Sequence, residues 1–79
     1  MAKKITWTVP ARADLGAIDQ RIAMNILHAL ARFTQTGTAD VERDPPEFRL
    51  RVGDYRVRSH DYGDNIEILK VRHRSEAYR

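Results

Sequence analysis

The stretch Phe48–His60, "FRLRVGDYRVRSH", constrains the fold more tightly than any other part of this 79-residue chain. Phe48, Leu50 and Val52 alternate with Arg49 and Arg51. After Gly53-Asp54, Tyr55, Val57 and Ser59 alternate with Arg56, Arg58 and His60. A two-residue period belongs to a strand whose two faces differ, and Gly-Asp between two such runs is a hairpin signal. A chain carrying this hairpin must build a sheet with an apolar face to be covered and a cationic face left open.

The flanking sequence supplies the cover. Ile5, Trp7 and Val9 alternate with Lys4, Thr6 and Thr8 and predict a first strand, ended by Pro10, which suits the first turn of a helix. From Ala11 to Arg32 the period changes: Leu15, Ile18, Ile22, Ile26, Ala29, Leu30 and Phe33 recur at three and four, as on an amphipathic helix. Asp19 is placed to cap a second helix, so this region reads as an αα-hairpin, with one long helix as the alternative. Residues 34–47, "TQTGTADVERDPPE", read as a loop because Gly37 and Pro45-Pro46 interrupt regular structure. Strands are expected at about 48–52, 55–61 and 66–72, with a turn at Tyr62–Asn65. The expected architecture is α+β in the order β-α-α-β-β-β: a mostly antiparallel four-stranded sheet with a two-helix hairpin packed on one face, in one domain spanning 1–79.

Strict alternation predicts Phe48, Leu50, Val57, Leu69 and Val71 beneath the helices. It puts Arg49, Arg51, Arg56, Arg58, His60, Ile66, Ile68, Lys70 and Arg72 on the opposite face. Like charges across a strand pair oppose folding, and the strand interiors offer few acids to offset them. The charge is also local. Residues 1–48 balance six Lys/Arg against six Asp/Glu, whereas residues 49–79 carry eight against five, which accounts for the net charge of +3. Arginine dominates this excess, and its planar fork suits phosphate. The face therefore reads as a binding surface for a polyanion. The acidic run Asp40, Glu42, Asp44 and Glu47 reads as a solvated loop. With no cysteine and three scattered histidines, neither a disulfide nor a metal cage is expected, and no cofactor. No signal peptide or membrane span is evident, so a soluble, cytoplasmic protein is expected.

"FRLRVGDYRV", together with the terminal "IEILKVRHRSEAYR", resembles the RelE/ParE superfamily of bacterial toxins, more closely the RelE branch. "ITWTVPARADL" resembles the family's first strand and helix, so the resemblance covers nearly the whole chain. It implies the same β-α-α-β-β-β order and the toxin component of a type II toxin–antitoxin system. The implied activity is that of an mRNA interferase, a metal-independent endoribonuclease that inhibits translation by cutting mRNA in the ribosomal A site against 16S rRNA, and the implied partner is a cognate antitoxin. Arg49 and Arg51 match two positions usually occupied by lysine, Arg56 the arginine of the "Y-R" pair, Arg72 the arginine of the last strand, and Tyr78 the C-terminal tyrosine. On this reading Arg56, Arg72 and Tyr78 are catalytic, and Arg49, Arg51, Arg58 and Lys70 grip RNA phosphates.

In such chemistry the ribose 2′-OH attacks the adjacent phosphorus and the 5′-oxygen departs. Arg56 is suited to stabilising the phosphorane, and the resemblance gives Arg72 the leaving group and Tyr78 the base or an orienting role. Histidine titrates near neutrality, so His60, expected on the basic face, and His73, expected to point elsewhere, are further candidates. Glu76 reads as a salt-bridge partner of Arg74. Two other functions fit the residues: a ParE-like, non-enzymatic poison of DNA gyrase, and a degenerate toxin that binds antitoxin or RNA without cleaving.

Overall fold

The computed structural model describes residues 3–37 and 40–77. Its elements run β1 (Lys4–Trp7), α1 (Val9–Gly16), α2 (Gln20–Thr36), β2 (Val41–Asp44), β3 (Glu47–Val52), β4 (Tyr55–Asp61), β5 (Asn65–His73) and a single turn of helix, α3 (Arg74–Ala77). The helices begin where the chemistry directs. The Thr8 hydroxyl caps α1 by accepting from the Ala11 amide at 3.2 Å and also donates to the Ile68 carbonyl at 2.9 Å, tying the cap to β5. Asp19 caps α2 by accepting from the Arg21 amide, and Gly37 closes that helix at φ 72°, a left-handed conformation that favours glycine. The αα-hairpin is thus the correct reading of residues 9–36.

The sheet has five strands in the order β1-β5-β4-β3-β2. All pairs are antiparallel except β1 with β5, which is parallel. The α+β class holds, but the expected four strands become five because Val41–Asp44 is a strand and not loop. "VERD" carries one apolar residue and no visible alternation; its pairing is imposed by β3, with Val41 opposite Leu50 and Glu42 opposite Arg49. It is short and charged, as edge strands that avoid further pairing tend to be.

Ile26, Leu30 and Phe33 of α2 and Ala11 of α1 pack on Phe48, Leu50, Val57, Ile66, Ile68 and Val71. Simple alternation misplaces one part of this core. The β4–β5 register runs Arg58 opposite Lys70, then shifts so that Ser59 faces Ile68. Leu69 is the extra residue of a β-bulge, and it reverses the facing of everything before it. Ile68, expected on the open face, and Ile66 with it, are instead fully buried under the helices. Leu69, expected in the core, is only half-buried.

Candidate functional site

Residues directly opposed across antiparallel strands share a face, so the register sorts the open face into three rows. Glu47, His60 and Glu67 form the row farthest from the Gly53-Asp54 turn. Glu42, Arg49, Arg58 and Lys70 form the middle row. Arg51, Arg56 and Arg72 form the row nearest the turn. Adjacent rows lie two residues apart, about 7 Å along a strand. The face is therefore zoned, from an acidic end to an end built of arginine alone.

Acids missed as partners in the sequence neutralise much of it. Glu47 sits between two arginines and a histidine: Arg58 donates from Nη2 to Oε1 at 2.8 Å and from Nε to Oε2 at 3.3 Å, Arg49 Nε lies 3.6 Å from Oε2, and His60 Nε2 lies 3.9 Å from Oε1. The hydrogen bond from Arg58 is the main reason the Glu47 carboxyl titrates below its ordinary range, and the same bond raises the Arg58 guanidinium. Glu42, on the unforeseen strand β2, adds a contact to Arg49 at 3.7 Å. The expectation of few opposing acids fails because β2 and the start of β3 carry the "acidic loop" onto this face.

The arginine row is different. Arg51 is half-exposed and has a loose contact with Asp40 at 3.7 Å. Arg72 donates from Nη1 to Asp14 Oδ1 at 2.9 Å, while Asp14 Oδ2 accepts from the Val71 amide at 3.1 Å. Asp14 thus reaches from α1 to fix both the backbone of β5 and one arm of Arg72. Arg56, between them in register, is only 6% exposed, although the sequence places it on an open face. Its Nη1 donates to the carbonyls of Gly53 at 3.0 Å and Tyr55 at 2.9 Å, and its buried Nε has no hydrogen-bond partner. Among the described residues no carboxylate pairs with it. A buried guanidinium flanked by two others and lacking a counter-charge is costly, and an anion laid on the row would relieve that cost.

The candidate proton-transfer groups divide. His60 stands four residues from Arg56 along β4, about 13 Å, too far to serve a phosphate held there; its Nδ1 lies 3.3 Å from the Tyr62 hydroxyl. His73 faces Tyr55 in register, on the side away from Arg56, and meets its ring edge-on at 5.4 Å. Arg72, however, bends toward Asp14, and a recess of about 220 Å³ brings it together with Asp14, Tyr55, His73 and Glu76. Arg74 pairs with Asp54 at 3.7 Å, not with Glu76 as expected. Tyr78 lies outside the described residues. Among the described residues no cluster of ligating side chains could hold a metal ion, and no helix is long and apolar enough to cross a membrane. A largely apolar groove of about 440 Å³ runs between α1, α2 and Trp7, lined by Arg12, Leu15, Ile18, Ala23 and Leu27, and Ile18 also borders the Arg72 recess.

The fold, a five-stranded sheet with an αα-hairpin on one face, matches that of RelE-like toxins. The RelE–RelB antitoxin–toxin complex from Methanococcus jannaschii matches with a TM-score of 0.76 at 21% identity, covering 92% of this chain and 94% of that one. The toxin–antitoxin complex RelBE2 from Mycobacterium tuberculosis matches with 0.71 at 25% identity, covering 92% and 99%. The chromosomal ParDE system of P. aeruginosa matches with 0.69 at 19% identity, covering 91% and 96%. No curated protein matches the chain. The model of the ParE toxins of type II toxin–antitoxin systems matches residues 5–78, and the chain belongs to that family, within the RelE/ParE superfamily.

Proposed function

We propose that this toxin is a ribosome-dependent endoribonuclease that binds the message across the Arg51–Arg56–Arg72 row. The observation that carries the reading is the buried, uncompensated Arg56 at the centre of that row. The 2′-oxygen attacks phosphorus and gives up its proton, the bond from phosphorus to the 5′-oxygen breaks, and that oxygen takes a proton, leaving a 2′,3′-cyclic phosphate and a 5′-hydroxyl. Arg56 and Arg51 stabilise charge on the phosphorane. Arg72, steadied by Asp14, stands at the leaving oxygen, with His73 and Glu76 the titratable neighbours sharing its recess. Arg49, Arg58 and Lys70 lie one row farther out along the same face, and Tyr78 completes the set expected from sequence.

The fold neighbours are toxin–antitoxin complexes, and a cognate antitoxin is the corresponding partner here, its apolar side chains suited to the groove beside Trp7. A gyrase poison is the second reading, favoured by the match to ParE toxins and by the distance of His60 from the arginine row.

Primer extension on message bound to purified ribosomes tests the choice. Cleavage confined to the A-site codon is expected. Arg56→Ala and Arg72→Ala should each slow it at least tenfold, about 1.4 kcal/mol of barrier, with circular dichroism reporting whether each variant folds. Undiminished cleavage by both folded variants would remove the site assignment. No cleavage by wild type, with inhibition of gyrase supercoiling, would establish the second reading.

A further inference from the structure

The open face carries six cations in its middle row and the row nearest the turn, yet the ion pairs divide them into two groups. Arg58 presents one edge of its fork, Nε and Nη2, to both oxygens of Glu47. Both edges of the fork that can match two phosphate oxygens, Nε with Nη2 and Nη1 with Nη2, include the Nη2 that Glu47 holds at 2.8 Å. Arg49 directs its Nε to Glu47 and its Nη1 to Glu42. In the other group, Arg72 gives Asp14 a single Nη1 contact, Arg51 holds Asp40 only at 3.7 Å with both side chains more than half-exposed, and Arg56 and Lys70 have no ion pair among the described residues. Glu47 is half-buried and anchored on three sides, so it is already ordered for this task.

We infer that Glu47 limits the nucleic-acid footprint to the Arg51, Arg56 and Arg72 row with Lys70 beside it, by occupying Nε and Nη2 of Arg58. The inference rests on the nucleic-acid reading above and adds to it a length: the protein engages a short run of phosphates, and a carboxylate on the sheet sets where the run stops. A toxin with such a footprint gains little affinity from free RNA, and it depends on whatever else presents the strand.

Counterion release reads the number of phosphates engaged, at about 0.7 in the slope of log K against log salt for each contact to a single strand. The probe is a fluorescein-labelled, single-stranded 2′-O-methyl oligouridylate, which lacks the 2′-hydroxyl nucleophile and survives intact. Anisotropy titrations run between about 50 and 200 mM salt. Wild type should give a slope of about −3, and Glu47→Gln should steepen it to about −3.5 as Arg58 joins the contact. Arg58→Gln, which leaves Glu47 in place, should leave the wild-type slope unchanged. A slope unaltered by Glu47→Gln in folded protein, or a slope that falls by about 0.7 in Arg58→Gln, would overturn the inference while leaving the nucleic-acid reading intact. Wild type that fails to bind the probe at about 50 mM salt would overturn both.

Discussion

At the residue scale the polar face is governed by two carboxylates that sit far from the arginines in the sequence or outside their alternation. Glu47 holds Arg58 and Arg49, and its folded-state pKa lies below its unfolded value. The unfolded chain therefore binds a proton more readily as the medium is acidified. The stabilisation is complete above the ordinary carboxylate range and is lost as pH falls through the lowered folded value. Urea unfolding should show Glu47→Gln about 0.5–1 kcal/mol less stable than wild type at pH 7, a value kept small because the pair is partly solvated. The gap between the two proteins should shrink as the pH is lowered through the folded-state value of Glu47. Asp61 behaves in the same sense, lowered first by its hydrogen bond from Lys3 and then by the Gly63 amide. Asp14 is the second organiser. Asp14→Ala strands the Val71 amide and loosens Arg72, and thermal unfolding should register a loss of about 1–3 kcal/mol. If Arg72 works from its present position, cleavage should fall together with stability.

At the scale of elements the β-bulge at Leu69 decides which face the two ends of β5 present. It lets one strand supply Ile66 and Ile68 to the core before the irregularity, and Val71 to the core with Lys70 and Arg72 outside after it. A strand without the bulge would have to expose the isoleucines or bury the cations. Ile68→Lys separates the two geometries. On an open face it would be a conservative addition to the basic surface. In this structure it buries a charge in the core and should abolish cooperative unfolding by circular dichroism. Ile68→Ala should cost about 2–5 kcal/mol, as deletions within a packed core do. β2 is the other element with consequences beyond its length, since it delivers Glu42 and the neighbouring Asp40 to the arginines.

At the scale of the whole molecule, a chain this short buries only about 60–65% of the surface its unfolded form exposes, and a radius of gyration of 11.5 Å leaves room for one helical layer on one sheet. The core is correspondingly concentrated: α2 reaches the sheet through Ile26, Leu30 and Phe33, the last with its ring centroid 5.1 Å from that of Phe48. Leu30→Ala should remove about 2–5 kcal/mol from a total of about 5–15, enough to lower the melting temperature by roughly 10 °C or more. The two sides of the molecule are divided by chemistry, with an apolar groove among the helices and cations on the far face of the sheet. A partner covering the helices and a polyanion on the sheet would meet different surfaces.

The sequence by itself determined the αα-hairpin, the Gly53-Asp54 hairpin, most of the core and the cationic sign of one face. Each is written in local periods or caps: the three-and-four spacing of Ile22, Ile26, Leu30 and Phe33, Asp19 at a helix start, and arginine at every second residue of β3 and β4. Long-range pairing decided the rest. Whether "VERD" becomes a strand depends on a neighbour that accepts its hydrogen bonds, and the shift at Leu69 depends on the register of β4 against β5. Which arginines stay unneutralised depends on carboxylates brought in from α1, β2 and the start of β3. Charge compensation acts over a few ångströms in space, between groups up to 58 positions apart along the chain, and no local pattern records it.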